Sequence, residues 1–153
     1  MLHILKRAAL GFLLLALGGA ALADRPGTAG EASALVKKTI VHLKKHGRDK
    51  TLQAASHPSA TFVDRDLYVS VYDLDGKVLA HGSNPKLVGV NVANLRDAND
   101  KYFIKDILAK AAGAGSGWVD YKWVDPVTRT LRDKSVYVEK ADGLIIAAGY
   151  YKD

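Results

Sequence analysis

The chain of 153 residues contains no cysteine. Disulfide bonds, thiolate zinc sites and thiol catalysis are therefore excluded, and the fold must depend on its apolar core. The sequence also lacks the Gly-x-Ser-x-Gly motif of serine hydrolases and the His-Glu-x-x-His motif of zinc proteases. We therefore expect no enzyme activity, no metal and no cofactor.

Two fragments come nearest to a metal site, and both are incomplete. His42 and His46 are four residues apart on a predicted helix, but no third ligand is evident. Asp73 and Asp75 begin like a calcium-binding loop, yet Val78 stands where such a loop needs glycine. A tight turn explains this second fragment better.

Long apolar runs are confined to the N-terminus. Lys6 and Arg7 precede an apolar run at 8–17, and Ala21-Leu22-Ala23 fits a signal-peptidase site. We predict a cleavable signal peptide at 1–23 and a mature domain at 24–153, in the periplasm or secreted. The alternative is an uncleaved anchor, although 16 residues at 8–23 are short for a bilayer span.

Acidic residues are in the minority, and the formal net charge is +6. Part of the excess lies in one run of the sequence, at Lys37, Lys38, Lys44, Lys45, Arg48 and Lys50. We interpret this run as a solvated helix face, with attraction to an anionic lipid or ligand as the alternative. No aromatic residues are interleaved with it, so nucleic acid is not an expected partner.

The first helix of the mature chain has clear ends. Thr28 and Glu31 have the spacing of a capping box, and Gly47 is a natural C-cap. Apolar residues recur between them at helical spacing: Leu35, Val36, Ile40 and Leu43. A second short helix is expected over 49–56, with Asp49 as N-cap and Pro58 ending it.

A β-hairpin follows at 67–72 and 77–80, joined by the sequence DLDG at 73–76. The Asp-Gly pair supplies the positive φ angles of a tight turn. Side chains alternate across the first strand. We therefore expect Leu67, Val69 and Val71 to pack on a helix, and Tyr68, Ser70 and Tyr72 to line a pocket.

The remaining segments predict a loop, a short helix and three strands. The irregular stretch at 81–100 is long enough for a binding lid, and 101–112 has amphipathic helical spacing. Strands are expected over 117–123, 134–140 and 144–151, with turns between them. Strands joined by tight turns give an antiparallel sheet, so the fold class is α+β.

Three blocks of this sequence resemble the single Cache family of extracytoplasmic small-molecule sensors. The blocks are DLYVSVYDLDGKVLAHGSNPKLVGVNV, DKYFIKDILAKA with GSGWVDYKWVDPVT, and KSVYVEKADGLIIAAGYY. The resemblance implies a PAS-like fold, with a five-stranded antiparallel sheet, a long N-terminal helix, and a short helix plus lid loop. It also implies a pocket under that lid for a small organic anion such as acetate, pyruvate or lactate.

A carboxylate pocket needs cationic or hydrogen-bonding groups beside apolar walls. The predicted ligand-binding residues are Tyr68, Tyr72, His81, Lys101, Tyr102, Trp118, Tyr121 and Tyr137. Trp118 and Tyr121 alternate to opposite strand faces, so one of them must pack elsewhere. Lys134 and Tyr137 also have opposite parity, and Lys134 carries the charge of that pair. Each candidate could equally be structural.

The sequence predicts a periplasmic sensory module that binds a small organic acid without catalysis. The alternative is a protein-interaction module with a vestigial pocket, which modulates a membrane receptor or kinase. The third hypothesis is an enzyme, but the sequence has no recognisable nucleophile. A homodimer through the long helix is compatible with either binding function.

Overall fold

The computed structural model describes residues 25–56 and 61–152. The predicted signal peptide at 1–23, and the expected helix end at Pro58, lie outside the described residues. The elements follow in the order α1 Ala29–His46, α2 Arg48–Ser56, β1 Val63–Asp64, β2 Leu67–Tyr72, β3 Val78–His81, α3 Phe103–Ala112, β4 Ser116–Val124, β5 Leu131–Ala141 and β6 Leu144–Tyr151, with a 3-10 turn at Pro85–Leu87.

Helix α1 has the ends that the sequence predicts. The Thr28 hydroxyl accepts from the Glu31 backbone N–H, and the Glu31 carboxylate accepts from the Thr28 backbone N–H. At the other end Gly47 is the C-cap, with a φ of 81°, and its N–H donates to the Leu43 carbonyl. Both ends of the helix are therefore closed by local hydrogen bonds.

The two shorter helices begin one or two residues away from their predicted starts. Helix α2 starts at Arg48, so Asp49 lies in its first turn rather than at the N-cap. Helix α3 starts at Phe103, with Tyr102 as N-cap and Lys101 before it. An acid in the first turn favours the helix dipole much as a cap does, which explains the first difference.

All strand pairs are antiparallel, as predicted. The sheet runs β2-β6-β5-β4, and both β1 and β3 pair with the remaining edge of β2. The two-residue strand β1 was not predicted, because Val63 and Asp64 are too short a run to show alternation. The last strand has its predicted bounds, whereas β5 extends beyond the expected 134–140.

The core has two layers, one on each face of the sheet. Helices α1 and α2 cover one face, where they pack on Val69 and Val71 of β2. Helix α3 and the loop before it cover the other face, which includes Tyr72 and Tyr121. The alternation predicted for β2 is therefore confirmed. It separates an aliphatic layer from a layer with aromatic and polar side chains.

Within the part of the chain that the structure describes, no helix combines the length and the apolar character needed to cross a bilayer.

Candidate functional site

A small closed cavity lies between the sheet and the loop before α3. The sheet contributes Tyr68, Ser70, Tyr72, His81, Tyr121 and Trp123, and the covering layer contributes Leu87, Val92, Leu95, Phe103 and Ile104, with Val78 at the edge. The cavity volume is about 20 Å³. Such a space holds about one water molecule, so the covering layer is closed.

Short backbone hydrogen bonds hold the covering loop against the hairpin. The Gly89 N–H donates to the Val78 carbonyl at 2.8 Å, and the Val78 N–H donates to the Val90 carbonyl at 2.9 Å. The Asn91 side-chain amide donates to the Asp75 carbonyl at 2.9 Å. The middle of the predicted lid thus runs beside β3 like an added strand.

Asp97 fastens the other end of this loop to β4. Its Oδ1 accepts from the backbone N–H groups of Asn99 at 2.8 Å and Lys101 at 3.0 Å. Its Oδ2 accepts from the Lys122 N–H at 2.9 Å. Burial would raise the pKa of Asp97, but these three N–H donors hold it below its ordinary value.

His81 is a neutral, buried hydrogen-bonding group at the edge of the cavity. Its Nδ1 accepts from the backbone N–H groups of Ser83 at 3.3 Å and Asn84 at 3.0 Å. Burial, together with the nearby charge of Lys134, lowers the pKa of His81 to about 3. Because Nδ1 is an acceptor, the neutral ring carries its proton on Nε2, which is left as a donor.

Lys134 is a buried cation beside this cavity, and only 2% of its surface is exposed. Its Nζ lies 3.8 Å from the centroid of the Tyr68 ring and 4.9 Å from that of Tyr151. Among the described residues, no carboxylate lies within ion-pair distance of this ammonium group. The aromatic faces offset part of the cost of burying the charge.

Gly149 makes room for the Lys134 side chain. A Cβ at position 149 would lie 2.6 Å from the Ser135 carbonyl oxygen and 2.9 Å from Cε of Lys134. The space above β6 is taken by a lysine of the same sheet.

The pKa values of the tyrosines in and beside the cavity are shifted in different directions. Burial raises the pKa of Tyr72 to about 12, and burial also raises the pKa values of Tyr121 and Tyr151. Burial acts the same way on Tyr68, but the positive charge of Lys134 and hydrogen bonds from Lys134, Tyr151 and Ser83 together lower the pKa of Tyr68. Lys134 is thus an electrostatic centre to which the neighbouring groups respond.

The structure brings four of the predicted site residues together at the cavity: Tyr68, Tyr72, His81 and Tyr121. Tyr121 also stacks on Phe103 of α3, with ring centroids 4.1 Å apart. This parallel contact closes the cavity floor between the sheet and the helix.

The other four predicted residues lie outside the cavity. Lys101 lies between the start of α3 and strand β4, where its Nζ donates to the Asp120 carbonyl at 2.6 Å and lies 3.2 Å from Oδ2 of Asp106. Tyr102 binds Arg96 at the surface. Both positions precede α3, where the chain faces solvent.

Trp118 and Tyr137 are paired on the opposite face of the sheet. Their ring centroids are 5.3 Å apart, and Trp118 is 38% exposed. Lys37 of α1 reaches both the Tyr137 ring and the Glu139 carboxylate. Because side chains alternate along a strand, only one residue of each pair can face the cavity. Tyr121 faces it and Trp118 does not, and Lys134 lies on the cavity side while Tyr137 does not.

Lys134 is the residue that the set of predicted site residues missed. The sequence shows its charge and that it lies on the opposite strand face from Tyr137. However, an exposed lysine near a strand end is far commoner than a buried one. The signal that could have found it is Gly149, because a glycine inside a strand often marks a close approach by another group.

An outer cleft of about 490 Å³ adjoins the cavity. Trp123 lines both spaces, and Ser83 and Asn84, which bind His81, also line the cleft. Arg96, Lys122 and Arg129 give its rim three cationic side chains, against the Asp97 carboxylate. Arg96 is paired with Asp100 and Lys122 with Asp133, so these carboxylates and Asp97 balance the three cations.

The described residues offer no counterpart to a metal centre. Within 25–56 and 61–152, no three His, Cys, Asp or Glu side chains are grouped closely enough to hold a metal ion. Nδ1 of His42 is instead engaged with the Thr51 hydroxyl at 2.8 Å, which joins α1 to α2.

Comparison with known proteins gives a family match and two curated relatives. The sequence model of the family described as single Cache domain 2 matches residues 25–153. The methyl-accepting chemotaxis protein McpP of Pseudomonas putida is 31% identical over 103 residues, which are 66% of this chain and 19% of that protein. The sensor histidine kinase MctS of Rhizobium johnstonii is 33% identical over 91 residues, which are 58% of this chain and 20% of that protein. The chain thus matches about a fifth of the length of each relative.

Solved structures share the fold. A periplasmic sensor domain of a chemotaxis protein has a TM-score of 0.63 and 26% identity, and the match covers 79% of this chain and 88% of that chain. A Cache chemosensory domain, described in a study of carboxylic acid recognition, has a TM-score of 0.62 and 21% identity, with 79% and 86% covered. The α+β architecture therefore recurs in sensor domains.

Proposed function

The chain belongs to the single Cache domain 2 family, and on that premise we propose that it binds a small organic acid in the cavity under the 81–100 loop. The observation that carries this proposal is the buried Lys134 ammonium, which has no carboxylate partner among the described residues. A buried cation without a counter-ion is unfavourable, and a bound anion would supply the missing charge.

The neighbouring groups suit a carboxylate. Hydrogen bonds to an ionised group are about twice as strong as neutral ones, and the Lys134 ammonium and the Tyr68 hydroxyl are both donors. His81 adds its Nε2–H as a third donor at the cavity edge. In this arrangement the carboxylate lies toward Lys134, and the carbon chain lies toward Phe103 and Ile104.

A cavity of about 20 Å³ limits both the size of the ligand and the way it enters. Even acetate is larger than the single water that such a space holds. Binding therefore requires the side chains of Leu87, Val92 and Leu95 to move outward from the sheet. The outer cleft next to Trp123 is the proposed approach, and closure of the loop over the ligand is the change that a sensor transmits.

The proposed location is the periplasm, and the proposed output is a membrane receptor or kinase. The sequence features at 1–23 support export, and relatives include a chemotaxis protein and a sensor kinase. The proposal includes no catalysis. A homodimer through α1 remains a prediction, and the exposed Val41 on that helix supports it.

A second function is favoured by one observation, the narrowness of the closed cavity. A cavity filled by its own side chains fits a protein-interaction module that has lost its ligand. In that case the cost of burying Lys134 would be balanced by the aromatic rings of Tyr68 and Tyr151 alone. The two functions differ in whether any carboxylate stabilises the fold.

Thermal unfolding with matched ligands tests the proposal. The protein is refolded from denaturant to remove retained ligand, then heated with acetate, propionate, lactate or pyruvate, and with acetamide as the uncharged control. A ligand at 100 times its Kd should stabilise the fold by about 2.7 kcal/mol, which raises Tm by several degrees. Stabilisation by an acid and not by acetamide supports a carboxylate site. If none of the acids shifts Tm, the interaction module is the better function.

A further inference from the structure

A second cavity, of about 200 Å³, lies beyond the start of β2, away from the covering loop. Three segments enclose it: the chain before α1, the turn between β1 and β2, and the turn between β4 and β5. Pro26 and Val127 form an apolar part of its wall, and Asp66 and Asp125 also line it. None of these residues lines the cavity of the proposed organic-acid site.

Asp66 has one carboxylate oxygen without a partner. The residue is 4% exposed, and its Oδ1 accepts from the Gly27 N–H at 2.8 Å. Its Oδ2 is buried and has no hydrogen-bond partner among the described residues. An unsatisfied buried carboxylate oxygen is costly, so this atom requires a donor that the described part of the chain does not supply.

The other charged groups of the cavity are engaged with one another. Asp125 accepts at Oδ1 from the N–H groups of Val127 at 2.8 Å and Thr128 at 3.2 Å, and at Oδ2 from Arg132 at 2.8 Å. Asp66 therefore differs from Asp125, whose two oxygens are both used.

The arginines at the rim are balanced by carboxylates. Arg25 and Arg65 both bind Glu31, and Arg65 also binds Asp64. With Arg132, three guanidinium groups thus face the carboxylates of Glu31, Asp64, Asp66 and Asp125. This described set has one more negative than positive charge, and Asp66 holds the oxygen that lacks a donor. A monocation that can donate hydrogen bonds complements it.

We propose that this cavity binds a small primary amine in its ammonium form, with one N–H donating to Oδ2 of Asp66. The short aliphatic part lies against Pro26 and Val127, which form the apolar wall. The volume of about 200 Å³ admits an amine of a few carbon atoms. A quaternary ammonium ion carries the same charge but has no N–H, so it cannot satisfy the oxygen.

The test uses ethylammonium chloride as the probe and tetramethylammonium chloride as its charge-matched control. Backbone amide resonances of Gly27, Val127 and Thr128 are followed by NMR during titration of the full chain. Ethylammonium should shift them saturably, and tetramethylammonium at equal ionic strength should not. Equal shifts with both salts, or shifts that never saturate, would overturn the proposal.

Asp66→Asn replaces the unpartnered oxygen, and Asp75→Asn removes an exposed carboxylate elsewhere as the control. The affinity for ethylammonium should fall at least tenfold in the first variant and remain unchanged in the second. Should Asp66→Asn fail to fold, intermolecular NOEs between the ethyl group and the Val127 methyls of the native chain decide the matter. Their absence at saturating amine rules the site out. Lys134→Met should leave amine binding intact, which separates this site from the organic-acid site.

Discussion

The ammonium group of Lys134 lies 3.8 Å from the centre of the Tyr68 ring, although the two residues are on strands separated by β6. The pairings Val69 with Ala148 and Val136 with Gly149 bring Gly149 between them. Because Gly149 has no side chain, Lys134 can cross over β6 and reach the β2 aromatic ring. A strand pairing and one glycine thus create the buried charge.

Lys134→Met should abolish most of the affinity for a small carboxylate. Loss of a charge-assisted hydrogen bond in a buried site costs about 1.5–3 kcal/mol, or about ten- to a hundredfold in Kd. Isothermal titration calorimetry with the acid that stabilises the native protein most measures this change in Kd. The fold should not be weakened, because methionine fills similar space and removes an unpaired buried charge.

Lys101→Met is the matched control for that experiment, since it removes an ammonium group that is paired with Asp106 near the surface. Its Kd should stay within about twofold of the native value. If Lys101→Met weakened binding and Lys134→Met did not, the site would lie beside Lys101, between α3 and β4.

Gly149→Ala should destabilise the protein. The new Cβ would lie 2.6 Å from the Ser135 carbonyl oxygen and 2.9 Å from Cε of Lys134, so the strand or the lysine must move. Overpacking of this kind costs about 1–3 kcal/mol. Urea unfolding gives the change in free energy.

Gly30→Ala is the matched control, because the same substitution is made where the new methyl group meets no packed side chain. Apart from its chain neighbours and the backbone of its own helix, no described atom lies within 4 Å of a Cβ at position 30, which is in the first turn of α1. Helix propensity alone applies there, and the variant should be unchanged or stabilised by up to about 1 kcal/mol. Equal destabilisation of both variants would refute the packing argument.

His81 should make stability depend on pH. Its pKa of about 3 in the fold lies below the ordinary value of 6.5, so the unfolded chain binds a proton first as the pH falls. Its contribution is complete above pH 6.5 and is lost between there and about pH 3. Between pH 7.5 and 5 this loss is about 2 kcal/mol.

The comparison of native protein with His81→Gln isolates that contribution from other titrating groups. Free energies of unfolding are measured in urea at pH 7.5 and pH 5. The advantage of the native protein over His81→Gln should shrink by about 2 kcal/mol at the lower pH. A difference that is constant across this range would mean that His81 takes up its proton in the fold.

Asp97→Asn should loosen the covering loop. The amide group cannot accept at both ends as the carboxylate does, so the N–H of Lys122 or those of Asn99 and Lys101 lose a charged acceptor. The expected cost is about 1–3 kcal/mol. Hydrogen exchange at residues 93–101 should quicken accordingly.

Asp100→Asn is the control for the loop, because Asp100 is exposed and, within the described part of the chain, its carboxylate pairs only with the side chain of Arg96. Exchange in this variant should match the native rate, since surface ion pairs contribute little. Comparable acceleration in both variants would show that charge, rather than the three N–H contacts of Asp97, holds the loop.

Sequence patterns predicted most of the elements because their signals are local. The capping box of Thr28 and Glu31, the Asp-Gly turn at Gly76 and the alternation in β2 each depend on residues close together in the chain. The starts of α2 and α3 differed by one or two residues, because several polar residues at a helix start compete for the cap.

Two of the predicted site residues, Trp118 and Tyr137, fell outside the cavity for a non-local reason. Trp118 and Tyr121 were known to lie on opposite faces of one strand, but nothing near them in sequence tells which face the covering loop occupies. The same ambiguity applied to Tyr137 and Lys134. The prediction names the aromatic Tyr137, whereas in the structure Lys134 lies on the cavity side, opposite Tyr121 in the register.

The sequence by itself determined the α+β class, the antiparallel hairpins, the resemblance to Cache sensors and the exclusion of thiol chemistry, because each depends on residue type or short-range spacing. Only the tertiary structure decided that Lys134 is buried, that Gly149 admits it, and that one Asp66 oxygen has no partner among the described residues. Burial and pairing depend on which distant strands and loops meet. The free energy of a buried charge is therefore a property of the assembled fold.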